Sequence, residues 1–232
     1  MISVIIPVYN RAQILKKSLD SLTKQKYTDF EVILVNDGSS ENILEIFTQF
    51  QNKLNIKYFQ KENGGAPSAR NFGFKKSSGN YIIFFDADII AQPKMFLEMK
   101  KVLDNESKID FVYSDYFFAN KKMTAKNFDK NKLQKNNYIH TSALIRREKV
   151  ISWDENLKKF QDWDYFLTLS EKNCLGFYLA KTLYRIIGGG SMSFWLPSFA
   201  YKIPFRFLPF FYQKIKKYEL ARQIIFKKHN LC

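Results

Sequence analysis

The chain has 232 residues, 46% of them apolar, enough for one large α/β domain or two small ones and too apolar for global disorder. Its formal charge of +15 favours polyanionic partners: nucleic acid, anionic lipid or phosphorylated substrates. Cys174 and Cys232 are the only cysteines, which excludes a disulfide framework or a zinc cluster and fits a reducing, cytoplasmic setting.

Ser3 to Val8 is a short apolar run and reads as the first strand. No basic leader precedes it, so no signal peptide is expected. Pro7 cannot donate to a ladder, so the chain turns out there into the loop Tyr9-Asn10-Arg11. Ala12, Leu15, Leu19 and Leu22 recur at helical spacing and predict a helix over about Arg11 to Lys24. Glu31 to Val35 is a second strand, closed by the turn residues Asn36-Asp37-Gly38-Ser39-Ser40. Ile43, Ile46, Phe47, Phe50 and Leu54 mark a second helix, and Ile56 to Phe59 a third strand.

Lys61 to Pro67 is a glycine-containing loop, and Pro67 suits the first turn of a helix carrying Ser68, Arg70, Asn71 and Phe74. Tyr81 to Phe85 is an unbroken apolar run, read as a strand buried on both faces. Asp86 and Asp88 follow at its end and, in extended geometry, point to the same side. Two such carboxylates repel unless a cation lies between them, and their hard oxygens suit magnesium or manganese. A solvated acidic turn is the plainer alternative.

Phe96, Met99, Val102 and Leu103 outline a further helix, and Ile109 to Phe118 a longer strand. Lys121 to Asn137 is polar and aperiodic and reads as a mobile loop, either solvated or closing over substrate. Tyr138 to Arg146 resumes as a strand. Trp163, Phe166, Leu167 and Ser170 share a helical face after Gln161-Asp162, and Phe177 to Ile187 supplies one or two strands. Such alternation predicts a Rossmann-like, mostly parallel sheet flanked by helices. Ligands bind such sheets beyond the carboxyl ends of the strands, where Tyr9, Asp37, Gly64-Gly65 and the Asp86/Asp88 pair all fall.

Residues 195–232 form a basic tail with eight Lys or Arg against Glu219, mixed with ten aromatics. Phe210 to Lys228 has the makings of an amphipathic helix. Basic groups beside bulky aromatics suit an anionic membrane surface. Packing of those aromatics on the domain is the alternative, and nucleic acid ranks last because no nucleic-acid motif accompanies the charge. No run reaches the roughly 18 apolar residues of a bilayer span.

Pro7-Val8-Tyr9-Asn10, Asn36-Asp37-Gly38-Ser39, Ala69-Arg70-Asn71-Phe72-Gly73 and Asp86-Ala87-Asp88, in this order and spacing, resemble the inverting family 2 glycosyltransferases of GT-A fold. The resemblance covers roughly residues 1–195, and Gln161-Asp162-Trp163-Asp164 looks like the family's acidic base motif. It implies a catalytic domain over 1–194, with a nucleotide-sugar half over 1–118 and an acceptor half over 119–194. It implies that Pro7 and Tyr9 border the nucleotide base, that Asp37 accepts from the uracil N–H, and that Arg70 holds the nucleotide or its phosphates. Asp86 lies toward ribose and metal, Asp88 coordinates Mn2+ or Mg2+, and Asp162 is the general base. Asp164 competes for that last role.

The activity so implied is metal-dependent transfer of a sugar, with a UDP-linked donor expected, to a hydroxyl of a glycan or lipid-linked acceptor in cell-surface polysaccharide or lipooligosaccharide synthesis. The enzyme is expected in the cytoplasm, with peripheral contact at the inner face of the membrane. An inactive scaffold of the same fold and a nucleotidyltransferase are the competing readings. One position departs from the pattern: in Tyr184-Arg185-Ile186-Ile187, Ile187 stands where the family often has a metal- or pyrophosphate-binding His. The glycine-rich turn and Ser191 are the candidates to replace it.

Overall fold

The computed structural model describes residues 1–188 and 209–231. Ser191, the boundary at 194 and tail residues 195–208 lie outside the described residues. The elements in chain order are β1 (Ile2–Val8), α1 (Ala12–Leu22), β2 (Phe30–Asp37), α2 (Ile43–Phe50), β3 (Ile56–Lys61), α3 (Ala66–Lys76), β4 (Tyr81–Phe84) and β5 (Ile89–Ala91). There follow α4 (Met95–Asn105), β6 (Phe111–Phe118), β7 (Lys121–Met123), α5 (Lys130–Lys135), β8 (Leu144–Arg146), α6 (Gln161–Glu171), β9 (Gly176–Ile186) and α7 (Pro209–Lys228).

Among the described residues one sheet runs β3-β2-β1-β4-β8-β6-β9-β5, with β7 paired to β6. The first four of these strands are parallel, with Ile5 aligned to Ile33 and to Phe84. Strand β8 joins them antiparallel between β4 and β6, and β6 runs parallel to β9. The core follows from strand periodicity. Val4, Ile6, Val32, Leu34 and Ile83 face one side with Leu15, Leu19, Met95 and Met99. Ile5, Ile33, Val35, Ile82 and Phe84 face the other with Ala69, Trp163, Tyr165 and Phe166. Helix α3 lies so close to β1 that a Cβ on Gly73 would come within 2.5 Å of Ile5 Cγ2. This fixes the height of Arg70 over the strand ends.

The mixed α/β architecture is as expected, two local expectations are corrected, and one short strand is added. Lys121–Asn137 is not a structureless loop: it holds β7 and α5. Helix α5 has one fully buried anchor, Leu133, and an Asp129 cap that accepts from Lys132 N, too few apolar residues to leave a periodic trace. The indole Nε1–H of Trp163 donates to Leu133 O at 2.7 Å and ties α5 to α6. Tyr138–Arg146 is a strand only over Leu144–Arg146. Before it, Asn137 Oδ1 accepts from Ile139 N and His140 Nδ1 from Ser142 N, so side chains take the donors that a ladder needs. Finally, Ile89–Ala91 is a separate short strand, antiparallel to β9.

Candidate active site

Pro7 and Tyr9 lie at the end of β1, Asp37 ends β2, and Asp86 and Asp88 follow β4, while Arg70 sits on α3 and Asp162 on α6; hydrogen bonds join the first loops into one floor. Asn10, at φ 49°, accepts through Oδ1 from Ser40 N at 2.8 Å and so joins the β1 loop to the β2 loop. Asp37, at the end of β2, is buried and accepts from Gly64 N at 3.0 Å, from Gly65 N at 2.7 Å and from Lys61 Nζ at 2.8 Å. It thereby shapes the glycine loop that opens α3. Between them Gly38 has φ +77°, and a Cβ there would meet Asn63 N at 2.9 Å. Pro7 is half-buried at the strand end, whereas Tyr9 is 51% exposed and presents an open ring beside this floor.

The carboxylate pair lies deeper. Asp86 Oδ1 is 2.6 Å from Arg70 Nη2, and its Oδ2 accepts from Thr141 Oγ1 at 3.1 Å. Arg70 is 3% exposed, lies 4.5 Å from the Trp153 ring and donates from Nη1 to Gln161 Oε1 at 3.4 Å. Its Nε is buried without a partner. Burial opposes ionisation of Asp86, but the Arg70 guanidinium outweighs it and holds the carboxyl below its usual range. Asp88 Oδ2 is 3.1 Å from Arg11 Nη1. Burial first, and then the Asp86 charge, push the Asp88 pKa up even so. A cation between the two carboxylates would relieve both effects. Among the described residues no three His, Cys, Asp or Glu side chains converge on one point. A cation here would therefore take two carboxylates and fill its shell from substrate phosphate and water, as magnesium commonly does. The donor set fits that group. The backbone N–H of Ile187 donates to Asp88 O at 3.0 Å, so the departure from the family pattern does lie against the acidic pair.

Asp162 and Asp164 differ sharply in surroundings. Asp162, in the first turn of α6, is half-buried; its Oδ1 accepts from Trp163 N at 2.9 Å and its Oδ2 from Asn137 Nδ2 at 2.9 Å. Burial pushes its pKa up to about 6. Asp164 is 5% exposed and engaged with the C-terminal helix: Lys228 Nζ lies 2.8 Å and His229 Nε2 2.9 Å from its Oδ1. Of the two, Asp162 has the surroundings of a proton acceptor. The described part of the tail packs on the domain. Ile215 and Ile225 of α7 are buried, and Phe226 meets Trp163 edge-on at 5.9 Å.

Four groups at the site escaped the sequence reading. Arg11 passed as a loop residue, although it directly follows the Tyr9-Asn10 motif. Asn137, His140 and Thr141 were hidden in stretches read as loop and strand. Burial pushes the His140 pKa down to about 4, so the ring is neutral; it sits 5.1 Å from the Tyr116 ring, with Nε2 4.0 Å from Asp86 Oδ2.

Comparison with known proteins bears on the family and the fold. The family described as glycosyl transferase family 2 matches residues 3–154. An uncharacterized glycosyltransferase of Rickettsia bellii is 32% identical over 216 residues, 85% of this chain and 30% of that protein. Chondroitin synthase of Escherichia coli is 30% identical over 198 residues, 83% of this chain and 28% of that protein. The chain thus spans less than a third of the length of these two relatives. The crystal structure of S. aureus TarS 1-349 in complex with UDP-GlcNAc superposes with a TM-score of 0.73 at 24% identity, covering 84% of this chain and 61% of that one. The fold is the GT-A fold, and by the extent of the family match the chain belongs to glycosyl transferase family 2.

Proposed function

We propose that this chain moves a sugar from a UDP-linked donor to a hydroxyl of a glycan or lipid-linked acceptor, with inversion, in the synthesis of a cell-surface polysaccharide or lipooligosaccharide. The observation that carries the reading is the contrast between the two α6 carboxylates: Asp164 is neutralised by Lys228 and His229, while Asp162 faces Arg70 and Asp86 with a pKa near 6. A carboxylate so poised is ionised at neutral pH and still basic enough to draw a proton from an attacking hydroxyl. Tyr9 and Pro7 border the nucleotide base and Asp37 accepts from its ring N–H. Arg70 aligns Asp86 against the ribose side. A divalent cation held by Asp86 and Asp88 would supply electrostatic stabilisation of the departing diphosphate. TarS with UDP-GlcNAc and the chondroitin synthase support a nucleotide-sugar donor and a glycan acceptor.

Helix α7 supports a peripheral membrane role as well. It buries Ile215 and Ile225, and turns Tyr212, Lys216, Lys217, Leu220, Ile224 and Lys227 outward. At 100° per residue these six fall within one arc, shared with the exposed Gln213 and Gln223 and edged by Glu219, and its apolar groups between lysines suit an anionic bilayer surface. No helix among the described residues is long and apolar enough to cross a membrane.

The test is Asp162→Asn, assayed against a panel of nucleotide-sugars with and without acceptor. Turnover should fall by about a hundredfold or more while donor binding persists. Normal transfer by that variant, or the same loss in Asp164→Asn without loss of folding, would overturn the assignment.

A further inference from the structure

Between α5 and β8 the chain runs through a short stretch, residues 136–143, that is neither helix nor ladder, yet it touches both halves of the site. Asn137 donates from Nδ2 to Asp162 Oδ2 at 2.9 Å and to Ile139 O at 3.0 Å. Its Oδ1 accepts from Ile139 N at 3.1 Å. Because Ile139 N is a backbone donor, the amide has one orientation: the oxygen must face Ile139 and the nitrogen must face Asp162. Four residues on, Thr141 donates to Asp86. The stretch is anchored in its middle by Ile139 and at its end by Ala143, which are 1% and 0% exposed.

We propose that Asn137 is a positioning residue for the base: its amide, locked by the turn to Ile139, holds the Asp162 carboxylate in its ionised form and aims its free lone pairs at the acceptor hydroxyl. This rests on the reading of Asp162 as the base. The chemistry is that of a donor aimed at a charged acceptor. A hydrogen bond to the ionised form favours that form, and burial disfavours it. The other groups that bear on Asp162 come from every neighbouring element: Arg70 of α3 favours the charge, Asp86 beyond β4 opposes it, and the hydroxyls of Tyr116 on β6 and Tyr184 on β9 carry no charge at neutral pH. Two groups bond to the Asp162 side chain directly: the backbone N–H of Trp163, at Oδ1 and 2.9 Å, also favours the charge, and Asn137, at Oδ2 and 2.9 Å, is the side chain that does so.

Two substitutions separate positioning from mere support of the turn. Asn137→Asp keeps an oxygen to accept from Ile139 N but sets a carboxylate against Asp162. Asn137→Ala removes all three bonds. A turn-forming role alone predicts that the Asp variant resembles the wild type and the Ala variant does not. A positioning role predicts the reverse order of damage. The measurement is the pH profile of kcat/KM for the full chain, with thermal unfolding as a check on folding. In Asn137→Ala the acid limb should move up by about one to two pH units, the shift expected on losing one charge-assisted bond. In Asn137→Asp it should move further, with the KM for the donor held within about threefold in both, because neither touches the nucleotide floor. An Asp variant with the wild-type profile, or a loss that is equal at every pH, overturns the inference. Asp162→Asn run in parallel keeps the two claims apart: if it retains activity the base assignment itself fails, and if it is inactive while both Asn137 limbs stay put, only the positioning role fails.

Discussion

His229, just beyond the last turn of α7, makes the link between tail and catalytic helix titratable. Its side chain is 2% exposed, with Nε2 2.9 Å from Asp164 Oδ1 and Nδ1 2.8 Å from Glu171 Oε1. Burial works against the charged ring, but the bonds to Asp164 and Glu171 outweigh it and leave the pKa above the ordinary imidazole value. A raised folded-state pKa means that the stabilisation is complete below the unfolded value, near 6.5, and is lost as pH rises through the folded one. The Asp164 bond is buried and charge-assisted, worth about 1.5–3 kcal/mol. The Glu171 bond ends on a side chain that is 43% exposed, so screening discounts it to about 0.5 kcal/mol. His229→Gln keeps a neutral donor and leaves Lys228 on Asp164, so a loss of about 1–2 kcal/mol remains at low pH, or roughly 2–8 °C in Tm for a chain of this size. Thermal unfolding of both proteins at pH 6 and pH 9 is the assay. The gap in Tm should be widest at pH 6 and should shrink at pH 9. A gap that is constant, or that widens with pH, would refute the charged state assigned to the latch.

Two further outcomes are expected. Asp88→Ala should abolish the manganese-dependent part of stabilisation by UDP, about 2.7 kcal/mol for the wild type at a hundredfold excess over Kd; an unchanged thermal shift would make the acidic pair structural. Full-length protein should co-sediment with anionic vesicles, partly lost at high salt and partly retained, and Leu220→Glu with Ile224→Glu should remove the retained part. If the double variant still binds in high salt, the outward face of α7 is not the membrane contact.

The parallel half of the sheet was legible because its strands are unbroken apolar runs and each ends in a loop of distinctive polar residues. Val4 to Ile6, Val32 to Leu34 and Ile82 to Phe84 need no partner to declare themselves. The second half was not, because its order comes from side chains bonding to backbone. Leu133 anchors α5 alone, and Asn137 and His140 take up backbone donors in a stretch whose apolar residues otherwise spell a strand. The Asp162/Asp164 ambiguity had the same origin. Two acids in one helical turn look equivalent in sequence, and what distinguishes them is a pair of cations more than sixty residues further on, whose partners no local pattern reveals.

That separation has a consequence for biogenesis. The proposed nucleotide floor is made of neighbours: Asn10 reaches Ser40, and Asp37 reaches Gly64, each across about thirty residues of chain. During synthesis, with the amino-terminal part emerging first, these loops can close as soon as α3 and β4 have left the ribosome. Helix α6 cannot finish so early. Its acidic flank, Asp154, Asp164 and Glu171, stays uncompensated until Lys228 and His229 are translated. A nascent chain stalled before that point would have the loops of the proposed donor site but an unsecured helix α6. Translation of Lys228 and His229 therefore separates a polypeptide that has only the joined loops of the proposed donor site from one whose helix α6 is also locked in place.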